Sequence, residues 1–233
     1  ARISSAGMPR ALCRYRQAVD DCGALLGPRV FIVNAVYVRG AVAAVVAGDP
    51  LEAHAAGRAI YENLSALSLD AGPADVVITD ARPLDLDLRV SFKACFNAAA
   101  AVKPGGMLIC VTRAGEGLGD LRLPRRFPRG LRQVVKRMPI GGLAWLASRV
   151  STGSPDQAVG TASLLRTIHD LDAILFLTSL PGVPALESLG LRFFTAPEPL
   201  LACAAALKPK ADALVLPHGG ASFIAWDNSA PRY

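Results

Sequence analysis

The chain has 233 residues, of which 52% are hydrophobic and 19% are charged, and its net charge is +6. This composition supplies a sizeable apolar core and excludes an intrinsically disordered chain. The longest apolar runs, such as Ala41 to Ala47, fall far short of the roughly 20 residues that a membrane-spanning helix needs, so we expect no membrane partner.

The first third of the chain predicts a helix, a β-hairpin and a second helix. We expect a loop and a helix over residues 1–26, while β-branched and aromatic residues indicate strands over residues 29–38 and 41–49. The turn dipeptide Arg39-Gly40 between the strands favours an antiparallel hairpin. Asp49 and Pro50 suit the N-cap and the first position of the helix that follows.

The rest of the chain alternates strands with helices. Strands are predicted over residues 74–80, 107–112, 171–180, 191–196 and 211–220, and residues 221–227 are expected to extend the edge of the sheet. Helices are predicted over residues 87–102, 151–170, 181–190 and 197–208. Partly helical structure is predicted over residues 121–150. This alternation predicts the α/β class, with a largely parallel sheet, helices on both faces and a Rossmann-like three-layer sandwich. Because neither a repeat nor a low-complexity linker interrupts it, we predict one domain over residues 1–233.

In such sheets a ligand lies beyond the carboxyl ends of the strands. The carboxyl ends of the predicted strands carry residues 80–83, 113–120, 178–184 and 217–221. The loop over 113–120 is rich in glycine, and its backbone amides are candidate contacts for an anion. It lacks the GK[ST] of a P-loop, and Glu116 within it is either an acid/base group or an exposed loop residue.

Two regions carry cations that call for an explanation. Seven lie between residues 122 and 137, namely Arg122, Arg125, Arg126, Arg129, Arg132, Lys136 and Arg137. Aromatic residues do not alternate with these cations as base stacking requires, so we interpret the segment as a solvated face and expect no nucleic acid partner. Lys93 is instead a single cation in an apolar, alanine-rich helix. The pattern alone favours a lysine that extends along the helix to water, and a lysine facing the ligand edge would pair with an anionic substrate.

The cysteines and histidines predict neither disulfides nor a metal site. The five cysteines form no CxxC pair, which favours reduced thiols and a cytoplasmic protein. His54, His169 and His218 show no HxH or HExxH spacing, so we predict no metal ligands on this chain. His218, in a glycine turn after a predicted strand, has the best position for contact with a ligand.

Three stretches, taken in order, resemble the C-terminal domain of the nickel-pincer lactate racemase family. They are "FIVNAVYVRGAVAAVVAGDPLEAHAAG", "ADVVITDARPLDLDLRVSFKACFNAAAAVKPGGMLICVTRAGEGLGD" and "ADALVLPHGGASFIA". The shared features are the GDPxEAH segment, PLD followed by a lysine, and KPGG followed by a strand and then by EGLG. The resemblance covers most of the chain from about Phe31 onwards, apart from the basic segment.

The resemblance implies half of an enzyme that racemises or epimerises a small anionic 2-hydroxy acid by hydride transfer to a nickel pincer nucleotide. In the family, an N-terminal domain carries the cofactor, the nickel-binding histidine and the acid/base histidines. The C-terminal domain supplies a lysine that contacts the substrate, which on PLD aligns with Lys93. We therefore expect a cofactor-bearing domain or subunit as partner, no cofactor on this chain alone, and no activity of the isolated chain.

Further candidate site residues lie in or near the segments that carry the resemblance. Arg82, Arg89 and Gln157 are expected on the substrate side, and Gly115, Glu116, Gly117 and His218 on the cofactor side. The chain differs from the family where Ala81-Arg82 replaces a glycine pair, Val90 a glutamine and Ala158 an aromatic residue. The extra arginines are consistent with a substrate that is larger or more acidic than lactate.

Two other functions remain open at this point. "ADVVITD", a helix and "VKPGGMLICVT" look like the middle of an S-adenosylmethionine-dependent methyltransferase, but "FIVNAVYVRG" lacks the GxGxG that such a site needs after its first strand. A non-catalytic binding module is the third interpretation, because the catalytic histidines of the racemase family do not occur in this sequence.

Overall fold

The chain forms two compact units in the computed structural model, which describes residues 10–25, 30–38, 40–69, 72–150 and 155–224. One unit contains residues 1–69 and 223–233, and the other contains residues 70–222. The α/β class is confirmed. The single domain over residues 1–233 stays a prediction.

The first unit is built around a β-hairpin and a helix. Its elements are α1 (Arg10–Leu25), β1 (Ile32–Val38), β2 (Ala41–Gly48), α2 (Pro50–Ser65), β3 (Ala66–Leu67) and β9 (Phe223–Ile224). Strands β1 and β2 pair antiparallel, which confirms the predicted hairpin. The Asp49 carboxylate accepts hydrogen bonds from the amides of Leu51 and Glu52 at 2.9 and 3.2 Å, so this residue caps α2 as predicted.

The second unit is a five-stranded parallel sheet with helices on both faces. Its elements are β4 (Ala74–Asp80), α3 (Leu88–Ala99), β5 (Val102–Val111), α4 (Leu131–Arg137), α5 (Ile140–Val150), α6 (Pro155–Asp170), β6 (Ala173–Leu177), α7 (Pro184–Ser188), β7 (Leu191–Phe194), α8 (Pro197–Leu207) and β8 (Ala213–Leu216). The strand order is β7-β6-β5-β4-β8. Because β8 joins β4 on the side opposite β5, the connections wind in both directions and cover both faces, which confirms the three-layer sandwich.

Each face of this sheet has its own apolar core. On one face, sheet residues pack against Leu200 and Ala204 of α8, and the sheet contributes Val76, Met107, Ile109, Ala173 and Leu175. On the other face, the fully buried Phe176 packs edge-on against Phe92 of α3 at 5.5 Å and stacks on Phe193 at 5.1 Å between ring centroids. Burial of this apolar area on both faces is what holds the strand ends in fixed positions.

The main differences from the predicted boundaries lie around β5 and at residues 223–224. The helix predicted over residues 87–102 ends at Ala99, and β5 begins at Val102 rather than at Met107. Val102 pairs with Ala74, and the register shifts before Val76, so Lys103 to Gly106 form an irregular strand start instead of a turn. Residues 223–224 pair with β3 rather than extending the five-stranded sheet. Among the described helices, none has the length and hydropathy to cross a lipid bilayer.

Candidate functional site

A cavity of about 420 Å³ lies at the carboxyl ends of strands β4 to β7. This is the edge at which the sequence predicted a ligand, and parallel sheets bind ligands there because the connecting loops diverge. The cavity is lined by Asp80, Arg82, Asp85, Val111, Thr112, Arg113, Leu177, Thr178, Ser179 and Thr195. Polar side chains thus converge on it from four neighbouring strand ends.

A row of three threonines borders the cavity. Thr112, Thr178 and Thr195 each follow the last residue of a strand, and those last residues are register partners in β5, β6 and β7. Thr112 and Thr178 are buried, and the Thr112 hydroxyl lies 2.7 Å from the hydroxyl of Ser91 on α3. Thr195 is exposed, so its hydroxyl is the member of the row that solvent or a ligand reaches.

Asp80 and Arg82 form an ion pair on one side of the cavity. The Asp80 carboxylate accepts from the backbone amide of Arg82 at 2.9 Å and from its Nε at 2.8 Å. Partial burial opposes ionisation of Asp80, but the hydrogen bonds from Arg82 outweigh it and lower the pKa of this carboxyl below its ordinary value. The predicted substrate-side cation Arg82 therefore lines the cavity with its charge already balanced.

Arg113 lies two residues beyond the last residue of β5. Its backbone carbonyl is hydrogen-bonded, and its side chain has no described hydrogen-bond or ion-pair partner. Its carbonyl oxygen accepts from the Ser179 hydroxyl at 2.6 Å and is 3.4 Å from the Thr178 hydroxyl. Its guanidinium is exposed and forms no hydrogen bond or ion pair with any residue that the structure describes. The cavity therefore contains one arginine that is free to meet an anion.

The glycine-rich loop over residues 113–120 packs against the start of α3. The amide of Glu116 donates to the carbonyl of Leu86 and that of Gly117 to the carbonyl of Ala114, both at 2.9 Å, while the amide of Leu88 donates to the carbonyl of Gly117 at 2.9 Å. Two of the three amides expected to approach an anion are thus committed within the chain. Of the three loop residues expected on the cofactor side, the amide of Gly115 and the exposed side chain of Glu116 remain available for a contact.

Lys93 is exposed on α3 and does not line the cavity. It is the sixth residue of that helix, about 7.5 Å along the axis from Leu88. Because Cβ atoms tilt towards the helix N-terminus, its Cα–Cβ bond is inclined towards the start of α3. One turn further on, the Asn97 amide donates to the carbonyl of Gly219 after β8 at 2.9 Å. Lys93 forms no hydrogen bond or ion pair over the described ranges.

The remaining predicted residues belong to three different segments, α3, α6 and the turn after β8. Arg89 forms an ion pair with Asp120 at 2.9 Å and does not line the cavity. Gln157 belongs to α6, but its side chain is outside the described part of the chain. His218 is exposed at the end of β8, with a left-handed backbone at φ 61°. The site roles of Lys93, Arg89, Gln157 and His218 stay predictions.

The ligand-edge ranges predicted from sequence include half of the lining residues, and they leave out Asp85, Val111, Thr112, Leu177 and Thr195. A usable signal was present, because three buried strands are each followed directly by threonine, in "CVTR", "FLTS" and "FFTA". Aligned strand ends place such residues side by side in a parallel sheet. Within the described residues, no three His, Cys, Asp or Glu side chains are arranged to hold a metal ion.

Comparisons with known proteins identify a fold relative. No family model matches the chain, and no curated protein matches it. Among solved structures, the lactate racemase apoprotein from Thermoanaerobacterium thermosaccharolyticum superposes with a TM-score of 0.63 at 20% sequence identity. The match covers 84% of this chain and 46% of that chain, so the chain spans less than half the length of that protein. At this identity the comparison establishes a lactate racemase-like fold.

Proposed function

We propose that this chain is the C-terminal half of a lactate racemase-like enzyme that racemises or epimerises a 2-hydroxy acid. The proposal combines the lactate racemase-like fold with the ordered motifs of the sequence. The observation that carries it is the position of Lys93, an exposed cation without a described partner, on the helix that starts at the ligand edge of the sheet. A cofactor-bearing domain or subunit would complete the site, and the isolated chain would be inactive.

In this proposal Lys93 binds and orients the acid. An exposed ammonium group is strongly hydrated, and its transfer into a closed site is costly unless an anion accompanies it. A carboxylate held between Lys93 and the second domain would supply that anion. The nickel pincer nucleotide, when bound to the partner domain, supplies the chemistry of accepting and returning a hydride.

The described residues do not identify a nucleotide cradle on this chain. Two amides of the glycine-rich loop are used within the chain, and the exposed His218 lies after a different strand. We therefore keep Gly115, Glu116, Gly117 and His218 as proposed contacts on the cofactor side and derive no step through the nucleotide.

The methyltransferase alternative lacks support at its defining position. Strand β4 is the first strand of the parallel sheet, and the seven residues after it, 81–87, contain no glycine. A nucleotide site of that type needs glycines there so that the backbone can approach the ligand. Saturable binding of S-adenosylmethionine would nevertheless favour this alternative over ours.

The test uses the protein with its cofactor-bearing half and measures interconversion of the two configurations of a 2-hydroxy acid. We expect Lys93→Ala to lower kcat/KM roughly 10- to 100-fold, because it removes a charge-assisted hydrogen bond to the substrate. Lys210→Ala is the matched control, since Lys210 is also exposed but lies before β8, at the opposite edge of the sheet. Wild-type turnover in Lys93→Ala would remove the proposed role. Absence of both turnover and a nickel-nucleotide adduct in the native protein would favour a non-catalytic module.

A further inference from the structure

We propose that helices α4 and α5, together with the loop before them, bind the surface of an anionic lipid membrane. The part of the chain that makes this contact, residues 122–149, is the basic surface. A contact of this kind involves one leaflet only and needs no spanning helix. The expectation of no membrane partner was derived from the length of the apolar runs, which concerns spanning segments alone. The proposal does not depend on the racemase function.

The positive charge of the chain is concentrated in this region. Residues 121–155 contain eight cations and no acidic residue, while the whole chain has a net charge of +6. The rest of the chain therefore has a net charge of −2. Such an asymmetry creates a positive field over one part of the molecule and favours an anionic partner. It disfavours a second copy of this chain as the partner, because two basic surfaces would repel each other.

Most of these cations are free to meet a partner. Arg132 and Lys136 are used within the fold, because Arg132 donates to the carbonyl of Asp172 and Lys136 pairs with the carboxylate of the same residue at 3.3 Å. Guanidinium groups present parallel N–H groups that match phosphate oxygens, so an anionic phospholipid is a suitable partner for the arginines that remain. Five arginines are exposed and form no hydrogen bond or ion pair in the described part of the chain, namely Arg122, Arg125, Arg126, Arg129 and Arg137.

Large apolar side chains are exposed on the same two helices. Val134 of α4 is 51% exposed, and Ile140 and Trp145 of α5 are 52% and 59% exposed. Both helices pack against α6, and the described buried residues of α5 are Leu143 and Ala147. Trp145 is two residues from each of them, about 200° around the helix, so it lies on the side opposite these buried residues.

Cations lie beside the exposed apolar groups. Arg137 follows Val134 by three residues, which places both on one face of α4. The guanidinium of Arg149 lies over the ring of Trp145, 5.6 Å from its centroid. At a membrane surface, basic side chains are attracted to anionic headgroups and tryptophan rings lie at the headgroup level. The basic surface therefore offers both kinds of group at neighbouring positions.

A membrane fits the basic surface better than a nucleic acid does. Stacking of bases needs aromatic side chains distributed among the cations, and Trp145 is the one exposed aromatic residue between residues 122 and 149. Val134 and Ile140 would meet no apolar group on a phosphate backbone, whereas burial against acyl chains removes their apolar area from water.

The test measures co-sedimentation of the 233-residue chain with lipid vesicles. We expect saturable binding to vesicles of equal parts phosphatidylglycerol and phosphatidylcholine, and none to vesicles of phosphatidylcholine alone. Binding should fall steeply in 1 M NaCl, where charges are screened within about 3 Å. Trp226→Phe leaves Trp145 as the one tryptophan of the chain. Its fluorescence emission should shift to shorter wavelength on binding, because the ring leaves water.

Two variants separate the contribution of charge from that of apolar contact. Arg137→Gln should weaken vesicle binding roughly 5-fold, the effect of one cation near an anionic membrane. Trp145→Ala should weaken it roughly 10-fold, because less apolar area leaves water. The matched controls are Lys210→Gln, which removes an exposed cation before β8, and Leu201→Ala, which truncates a side chain of α8 that is 55% exposed. Neither control residue belongs to the basic surface, and both variants should bind as the wild type does.

Several results would overturn the proposal. They are no binding of the wild-type chain to anionic vesicles, wild-type binding in Arg137→Gln and Trp145→Ala, and losses in the two controls equal to those in the two variants. An unshifted emission of Trp145 would show that its ring stays in water and would also overturn it. Displacement of the chain from the vesicles by RNA or by poly-L-glutamate, at equal charge concentration, would favour a nucleic acid or an acidic protein as the partner instead. Far-UV circular dichroism confirms that each variant is folded.

Discussion

Replacing Gly220 by alanine tests how closely the turn after β8 packs against the end of β4. A Cβ atom at Gly220 would lie 2.2 Å from the carbonyl oxygen of Ala81 and 3.0 Å from that of Arg82. Both neighbours are backbone atoms, so no side-chain rotation relieves the overlap. Gly220 does not have a positive φ, and the expected effect is therefore steric.

The overlap sets the size of the effect. Non-bonded carbon and oxygen atoms need more than 3 Å, so the turn has to move by about 1 Å, at a cost of roughly 1–3 kcal/mol for overpacking. The same movement would stretch the 2.9 Å hydrogen bond from Asn97 to the carbonyl of Gly219 beyond bonding distance, for about 0.5–1.5 kcal/mol more. We expect Gly220→Ala to lower the free energy of unfolding by about 1.5–4.5 kcal/mol.

Urea denaturation followed by circular dichroism measures this change. Gly160→Ala is the matched control. Gly160 lies in helix α6, and a Cβ atom there meets nothing within 4 Å. The free energy of unfolding of this variant should therefore rise by about 0.5–1 kcal/mol, because alanine has the higher helix propensity. Gly219→Ala adds a second check, because its Cβ would lie 1.9 Å from the Thr79 hydroxyl and its cost should fall when Thr79 is also alanine. A free energy of unfolding for Gly220→Ala within experimental error of wild type would refute this packing.

Three further predictions concern individual side chains. In Arg82→Gln the pKa of Asp80 should rise, as measured by carbon NMR. The native ion pair lowers the pKa of Asp80. The pair therefore stabilises the folded protein at neutral pH, and this stabilisation is lost as the pH falls through the native pKa. An unshifted pKa of Asp80 in Arg82→Gln would contradict the pairing. Asp172→Asn should lower the free energy of unfolding at low salt but not at molar salt, because its ion pairs with Lys136 at 3.3 Å and Lys208 at 3.6 Å are partly exposed and screened. Phe176→Leu should lower the free energy of unfolding by about 1–3 kcal/mol through loss of two aromatic contacts, and an unchanged urea midpoint would exclude that contribution.

The second unit could be predicted from sequence because its strands are short apolar runs that local signals delimit. The runs before Asp80 and Thr112 can be buried only in a sheet covered on both faces, and a capping aspartate, Asp87, marks the start of the helix between them. The start of β5 was missed because Lys103 to Gly106 have the composition of a turn. Their strand conformation depends on pairing of Val102 with Ala74, a contact between residues distant in sequence that local propensity does not contain.

The position of the site could be predicted for the same reason. Which of its arginines lack an acidic partner could not be predicted. Arg82, Arg89 and Arg113 are equivalent in sequence as cations near strand ends, but the first two are paired with Asp80 and Asp120. Which cation remains free depends on side-chain contacts that form only after folding.

One of those pairings does have a local cause. Arg82 follows Asp80 by two residues, a spacing at which an aspartate accepts from the backbone amide of the later residue, and the same carboxylate then also receives its guanidinium. Arg113 has no acidic residue at that spacing on either side, since the nearest in sequence is Glu116. An arginine near the end of a buried strand, without an aspartate two residues before it, is therefore the better candidate for holding an anionic ligand. By this criterion Arg113 ranks above Arg82, which the sequence analysis assigned to the substrate side.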